Sequence, residues 1–173
     1  MGSREIWARP YFTDNSDDCL MAYIDGSYDA VRKQYSYGAV LVKPDGTEKS
    51  IYGLGNNKLY LDSCHIIGKI LGIINALDWA VANGFEKVKI YHDSRGLPKL
   101  ISGKLKAETK ATKMFVSVFE ERFEGAISVE FVKVTPRHSE VPHKEKARQL
   151  AKSALNEFSN FSPDFCGFIQ MEK

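Results

Sequence analysis

The sequence predicts an α/β domain built on a five-stranded mixed sheet, in the order β-β-β-α-β-α-β-α, with helices packed on the sheet. Three observations predict it. Three β-rich runs, "MAYIDGSY", "YSYGAVLVK" and "KSIYGLG", follow one another closely, with "PDG" at 44–46 as a turn signal. The apolar spacing then lengthens to a helical period at Ile66, Ile70, Ile73, Ile74 and Leu77. After that, short β-rich and longer helical stretches alternate to residue 157.

Taken in order, the first three runs form an antiparallel meander. Asp62 or Ser63 serves as the N-cap of the first long helix, and Gly84 in "ANG" is its C-terminal stop. Gly68 and Gly72, four apart, leave one side of that helix nearly bare, so it can sit close to the sheet at some loss of helix propensity. "KVKIYHD" is the fourth strand, one or two helical stretches fill 95–123, "AISVEFVKV" is the fifth strand, and "HKEKARQLAKSALNEF" is a closing amphipathic helix. The organisation is an N-terminal extension over 1–19, one domain over 20–157 and an aromatic C-terminal tail over 158–173. Trp7, Tyr11 and Phe12 near one end, and Phe158, Phe161, Phe165 and Phe168 near the other, are expected to dock on the domain or on a neighbouring chain.

At 173 residues and 43% hydrophobic content, the chain can bury a core of its own. A net charge of +2 neither requires nor excludes a polyanionic partner. Cys19, Cys64 and Cys166 are widely spaced, with no CxxC pattern to hold zinc, and read as free thiols in a reducing compartment. No apolar stretch approaches the roughly 20 residues that cross a bilayer. The expectation is a cytoplasmic protein with no membrane contact.

Two strands end on an acid, "AYIDGSY" on Asp25 and "YHDSRGL" on Asp93. Alone, such residues read as solvated strand ends. His138 and His143 in "HSEVPH" could pair on a metal, but no nearby acid or thiol completes the set, so a solvated loop is the expected reading. No Ser/His/Asp or Cys/His catalytic set is identifiable.

The element order, with "YIDGS", "HIIGKILGIINALDWA", "YHDS" and the closing "FVKV…HS…KEKARQLAKSAL", resembles the ribonuclease H family, in particular its bacterial type 1 enzymes. The resemblance spans residues 20 to 156, and its most specific part is the spacing from His138 through Glu145 to "LAK" at 150–152. It implies an RNase H-like fold. In that family, four carboxylates and two divalent ions cut the RNA strand of an RNA–DNA hybrid, because Mg²⁺ or Mn²⁺ takes hard oxygen ligands and an ion pair about 4 Å apart serves both the attacking and the leaving oxygen. The resemblance places Asp25 and Asp93 at two of the family's catalytic positions. It places Lys69 where the helix motif carries glutamate and Arg148 where the end motif carries aspartate, and His138 falls on the family's mobile-loop histidine. The "NE" of the end motif is "KE" here, Lys144 with Glu145, and Leu105 stands at an expected tryptophan.

The sign change is decisive on magnitude. Four carboxylates give an empty site a formal charge of −4, whereas Asp25, Asp93, Lys69 and Arg148 sum to zero. Like charges about 4 Å apart repel by about 4 kcal/mol at an effective dielectric of about 20. The expectation is therefore that metal binding is lost and no cofactor is used, with Lys69 and Arg148 lying against Asp25 and Asp93. Lys104, Lys106 and Lys110, with Lys99 and Lys113, form a basic segment that reads either as a nucleic-acid contact or as an ordinary soluble helix face. Gly26 and Ser27 are family-like candidates for 2′-hydroxyl contacts. The resulting expectation is a catalytically inactive binding or scaffolding module for an RNA–DNA hybrid or structured RNA. A protein partner or a homodimer through the aromatic tails remains open. The alternative is a residual ribonuclease H using one ion on Asp25, Asp93 and Glu145.

Overall fold

The computed structural model describes residues 18–134 and 141–157, and the backbone of residues 168–172. The elements are β1 (Cys19–Asp29), β2 (Gln34–Val42), β3 (Glu48–Gly55), a 3-10 helix (Lys58–Ser63), α1 (Ile67–Ala82), β4 (Lys87–His92), α2 (Leu97–Ile101), α3 (Lys110–Val118), β5 (Ser128–Lys133), α4 (Val141–Glu157) and β6 (Phe168–Glu172). A π turn, Phe119–Phe123, continues α3.

The strands form one sheet in the order β5-β4-β1-β2-β3-β6. β1, β2 and β3 pair antiparallel, as the meander required, while β4 joins β1 and β5 joins β4 in parallel. The five-stranded mixed sheet read from the sequence is present, and β6 adds a sixth strand, antiparallel to β3, inside the segment read as an aromatic tail. It occupies what would otherwise be an open edge of hydrogen-bonding groups.

Strand alternation sends neighbouring residues to opposite faces. Leu20, Ala22 and Ile24 of β1 face α1 and α3 in the main core, with Ile67, Ile70, Ile73, Leu77, Val88, Ile90 and Phe115. Burying each large aliphatic side chain contributes about 2 kcal/mol before conformational entropy is counted. Tyr23 of β1 and Val40 of β2 point the other way and meet Ala147 of α4.

The predicted close seat of α1 is present. A Cβ on Gly68 would strike the Ser36 carbonyl oxygen, and one on Gly26 would lie 2.6 Å from the Lys69 backbone nitrogen. Gly84 closes α1 with φ +77°, as its stop position demands. The helix start differs from the reading: Ile66, with no side-chain cap, takes the N-cap position. The 3-10 helix consumes Asp62 and Ser63, and the Ser63 hydroxyl donates to Thr109 Oγ1 at 2.7 Å, so it is engaged elsewhere.

Candidate functional site

The parallel register pairs Tyr23 with Tyr91. Two residues further along each chain stand Asp25 and, just beyond the end of β4, Asp93; alternation puts both on the face covered by α4. The sheet thus brings the two predicted carboxylates together although they are far apart in sequence. Asp25 is buried and Asp93 is about half exposed.

Each of their four oxygens faces a protein N–H donor. Asp25 Oδ1 accepts from its neighbour Gly26 N at 2.8 Å, and Asp25 Oδ2 lies 2.7 Å from Lys144 Nζ. Asp93 Oδ1 lies 2.8 Å from Lys69 Nζ, and Asp93 Oδ2 lies 3.4 Å from the same Lys144 ammonium. Burial pushes the Asp93 carboxyl up, but the hydrogen bond from Lys69 and the charge of Lys144 outweigh it and hold the group below the usual carboxylate range. His92, next to it, is 2% exposed; burial drives its pKa down to about 4, so the imidazole is neutral at pH 7 and its Nδ1 accepts from Ser94 N at 3.1 Å.

Lys69 lies where the sequence reading placed it. Arg148 does not: its Nε and Nη2 donate to Glu145 at 2.9 and 2.7 Å, one helical turn back, and not to Asp25. An i, i+3 carboxylate on the same helix is the nearer partner, and the seat beside Asp25 is taken by Lys144. Sequence reasoning missed Lys144 because it replaces an amide, not a carboxylate, in the family pattern. Its position four residues before Arg148, on the same helical face, was the available signal.

α4 is fixed at its N-terminal end. His143 stacks on Tyr23 with ring centroids 4.8 Å apart and bonds Glu48 at 2.9 Å, Lys146 joins Glu48 at 2.7 Å, and Tyr23 stacks in turn on Tyr91. His143 is therefore part of a helix and a stacked column, not a solvated loop residue. His138, like Cys166, lies outside the described residues. Cys19 and Cys64 are free.

Beside the carboxylates is an open cleft of about 360 Å³, lined in part by Gly26, Ser27, His65, Lys69, Arg148 and Lys152. Gly26 and Ser27 thus reach the candidate site. Lys104, Lys106 and Lys110 are exposed around the connection from α2 to α3 and do not line this cleft.

The donor set does not fit a pair of divalent ions. Such ions need several free oxygen ligands each, and the four oxygens here face cationic or amide donors. No group of three or more His, Cys, Asp or Glu side chains among the described residues is arranged to hold a metal. No described helix is long and apolar enough to cross a membrane.

No family model matches the sequence, and no curated protein matches it. Solved structures do match the fold. An RNase H1 from the halophilic archaeon Halobacterium salinarum aligns over 80% of this chain and 98% of its own with TM-score 0.63 and 23% identity. The N-terminal RNase H domain of a Mycobacterium tuberculosis protein aligns over 80% and 97% with TM-score 0.59 and 18% identity. A compost-derived RNase H1, solved with an RNA/DNA hybrid, aligns over 82% and 99% with TM-score 0.61 and 18% identity. The chain has the ribonuclease H fold.

Proposed function

We propose that the protein is a nucleic-acid-binding module on the ribonuclease H fold, directed to an RNA–DNA hybrid or structured RNA and without metal-dependent nuclease chemistry. One observation carries the reading: the Lys144 ammonium sits between Asp25 and Asp93, 2.7 and 3.4 Å from their oxygens. A protein-borne cation there supplies the neutralising charge, engages one oxygen of each carboxylate and repels a divalent ion from the space between them. Neither acid then holds a divalent ion, and neither activates a water through one.

Binding is supported separately. Gly26, Ser27, Lys69 and Arg148 line an open cleft, and exposed Lys104, Lys106 and Lys110 offer a sequence-independent attraction for a phosphate backbone. The solved structure of the compost RNase H1 with a hybrid gives the fold a precedent for this ligand.

The test is a labelled hybrid incubated with Mg²⁺ or Mn²⁺, alongside salt-titrated binding of hybrid, duplex RNA and duplex DNA in chelator. The expected result is no cleavage, with retained binding that weakens as salt rises. Metal-dependent cleavage of the hybrid would establish a residual ribonuclease H instead, and absence of binding to all three duplexes would remove the nucleic-acid reading.

A further inference from the structure

Lys144 neutralises Asp25, so Arg148 is not needed for that task. Glu145 engages the Nε and Nη2 side of the Arg148 fork. A guanidinium carries five N–H donors, so the Nη1 edge is left with unused donors on a side chain already held by its neighbour. The Arg148 fork also holds Glu145 below the usual carboxylate range, with Lys152 contributing in the same direction. The carboxylate therefore stays charged and keeps the fork oriented.

Lys152 follows Arg148 by four residues, on the same face of α4. It makes no hydrogen bond or ion pair with the described residues. Both side chains line the cleft of about 360 Å³, as does Ser27 of β1. That volume lies at the lower end of the range for small-ligand clefts, roughly 300 to 1,000 Å³. The charged side chains at its wall are Asp25, Lys69, Arg148 and Lys152; Lys144 satisfies Asp25, Asp93 satisfies Lys69 and Glu145 engages one side of Arg148, which leaves Lys152 and the other edge of Arg148 for a ligand.

We propose that this cleft binds a phosphate group directly, with no divalent ion, through the free edge of Arg148 and the ammonium of Lys152, with the Ser27 hydroxyl as an additional donor and Glu145 as a positioning residue. A guanidinium edge and a nearby ammonium match the tetrahedral oxygens of a phosphate, and a bidentate Arg contact is the strong form of that recognition. Resting on the nucleic-acid reading above, the phosphate is assigned to a nucleic-acid backbone. The cleft is open to solvent, so a backbone phosphate can reach it from outside.

The full chain is titrated in chelator with inorganic phosphate, following backbone amides by NMR, and with a short RNA–DNA hybrid, following anisotropy across a salt series. Phosphate should shift the Ser27 and Gly68 amides. Arg148→Ala combined with Lys152→Ala should weaken hybrid binding about tenfold or more and lower the salt slope by about one or two. Arg148→Lys should recover only part of the loss, and Glu145→Gln should give a smaller one. These positions are exposed on a helix, so the variants should fold, and circular dichroism verifies this.

If the hybrid binds with unchanged affinity and slope in the double variant, this inference falls and the proposed function stands. If phosphate shifts the cleft amides but no nucleic acid binds, the phosphate site stands with free phosphate as its source, and the proposed function falls. If neither ligand binds, both are overturned.

Discussion

Lys144 Nζ stands 2.7 Å from Asp25 Oδ2, and both side chains are almost entirely removed from solvent. Removing one partner of such a pair leaves an uncompensated charge in a poorly solvated site. Lys144→Met should therefore lower stability by about 3 kcal/mol in chelator, whereas Asp25→Asn with Lys144→Met should recover a large part of the loss. Urea denaturation of the wild type, both single variants and the double measures the coupling. Independent, additive effects would show that the pair contributes nothing as a pair.

The same ammonium governs any attempt to recreate a metal site. Lys69→Glu with Arg148→Asp supplies two further carboxylates beside the site but leaves Lys144 between Asp25 and Asp93. That double variant should bind Mn²⁺ poorly, and adding Lys144→Asn should raise the affinity by about tenfold or more by freeing carboxylate oxygens. Calorimetry with Mn²⁺ distinguishes the two. Equal affinity in both would mean that Lys144 swings away without consequence.

Acid should destabilise the fold in two successive windows. His92 has an ordinary value of 6.5 and a folded value of about 4, so between these the unfolded chain binds more protons, and stability falls as pH falls, by about 3 kcal/mol in all. Asp93 is depressed below 3.8, so its contribution is complete above that value and is lost as pH falls through the lower folded one. Urea midpoints from pH 7 to 3 test both. His92→Leu should flatten the upper window alone, and Lys69→Met the lower one.

Gly68 should not tolerate a methyl group. An added Cβ meets the Ser36 carbonyl oxygen and comes within 2.9 Å of the Gly26 Cα, both backbone atoms that cannot rotate aside. Gly68→Ala should cost about 2 to 3 kcal/mol despite its better helix propensity. A thermal melt equal to or above that of the wild type would contradict the close seat of α1.

Deleting residues 168–173 should expose the outer edge of β3, where Ile51 to Gly55 now pair with β6. An uncovered edge templates association between chains. Sedimentation should then reveal concentration-dependent oligomers that are absent from the full chain.

Much of this fold was legible because its elements carry distinct periods. The meander, the long helix with Gly68 and Gly72 on its close face, and the acid just past the end of β4 follow from local pattern, whereas Asp25, read as a strand end, lies inside β1, which pairs with β2 as far as Asp29. β6 escaped because a short strand beside several phenylalanines has no signature separating it from a docked tail. The start of α1 was misplaced because the Ser63 hydroxyl bonds to Thr109, a residue remote in sequence. The exchange of roles between Arg148 and Lys144 escaped for a related reason. Motif alignment identifies which positions change sign, but which flexible cation reaches a given acid depends on the seat of the helix, and only packing fixes that.

That seat is narrow. Gly38 leaves no room for a Cβ against the Ala147 carbonyl, the Ser36 hydroxyl donates to the Ala151 carbonyl, and Ala147, Ala151 and Ala154 are fully buried. α4 therefore behaves as a rod clamped along one side while it carries Lys144, Arg148 and Lys152 along an adjoining row, four residues apart. Thickening the clamped side, for example with Ala151→Val, would tilt all three cations together without touching any of them. Affinity at the cleft would thus be adjusted from beneath the helix, by residues that no ligand meets.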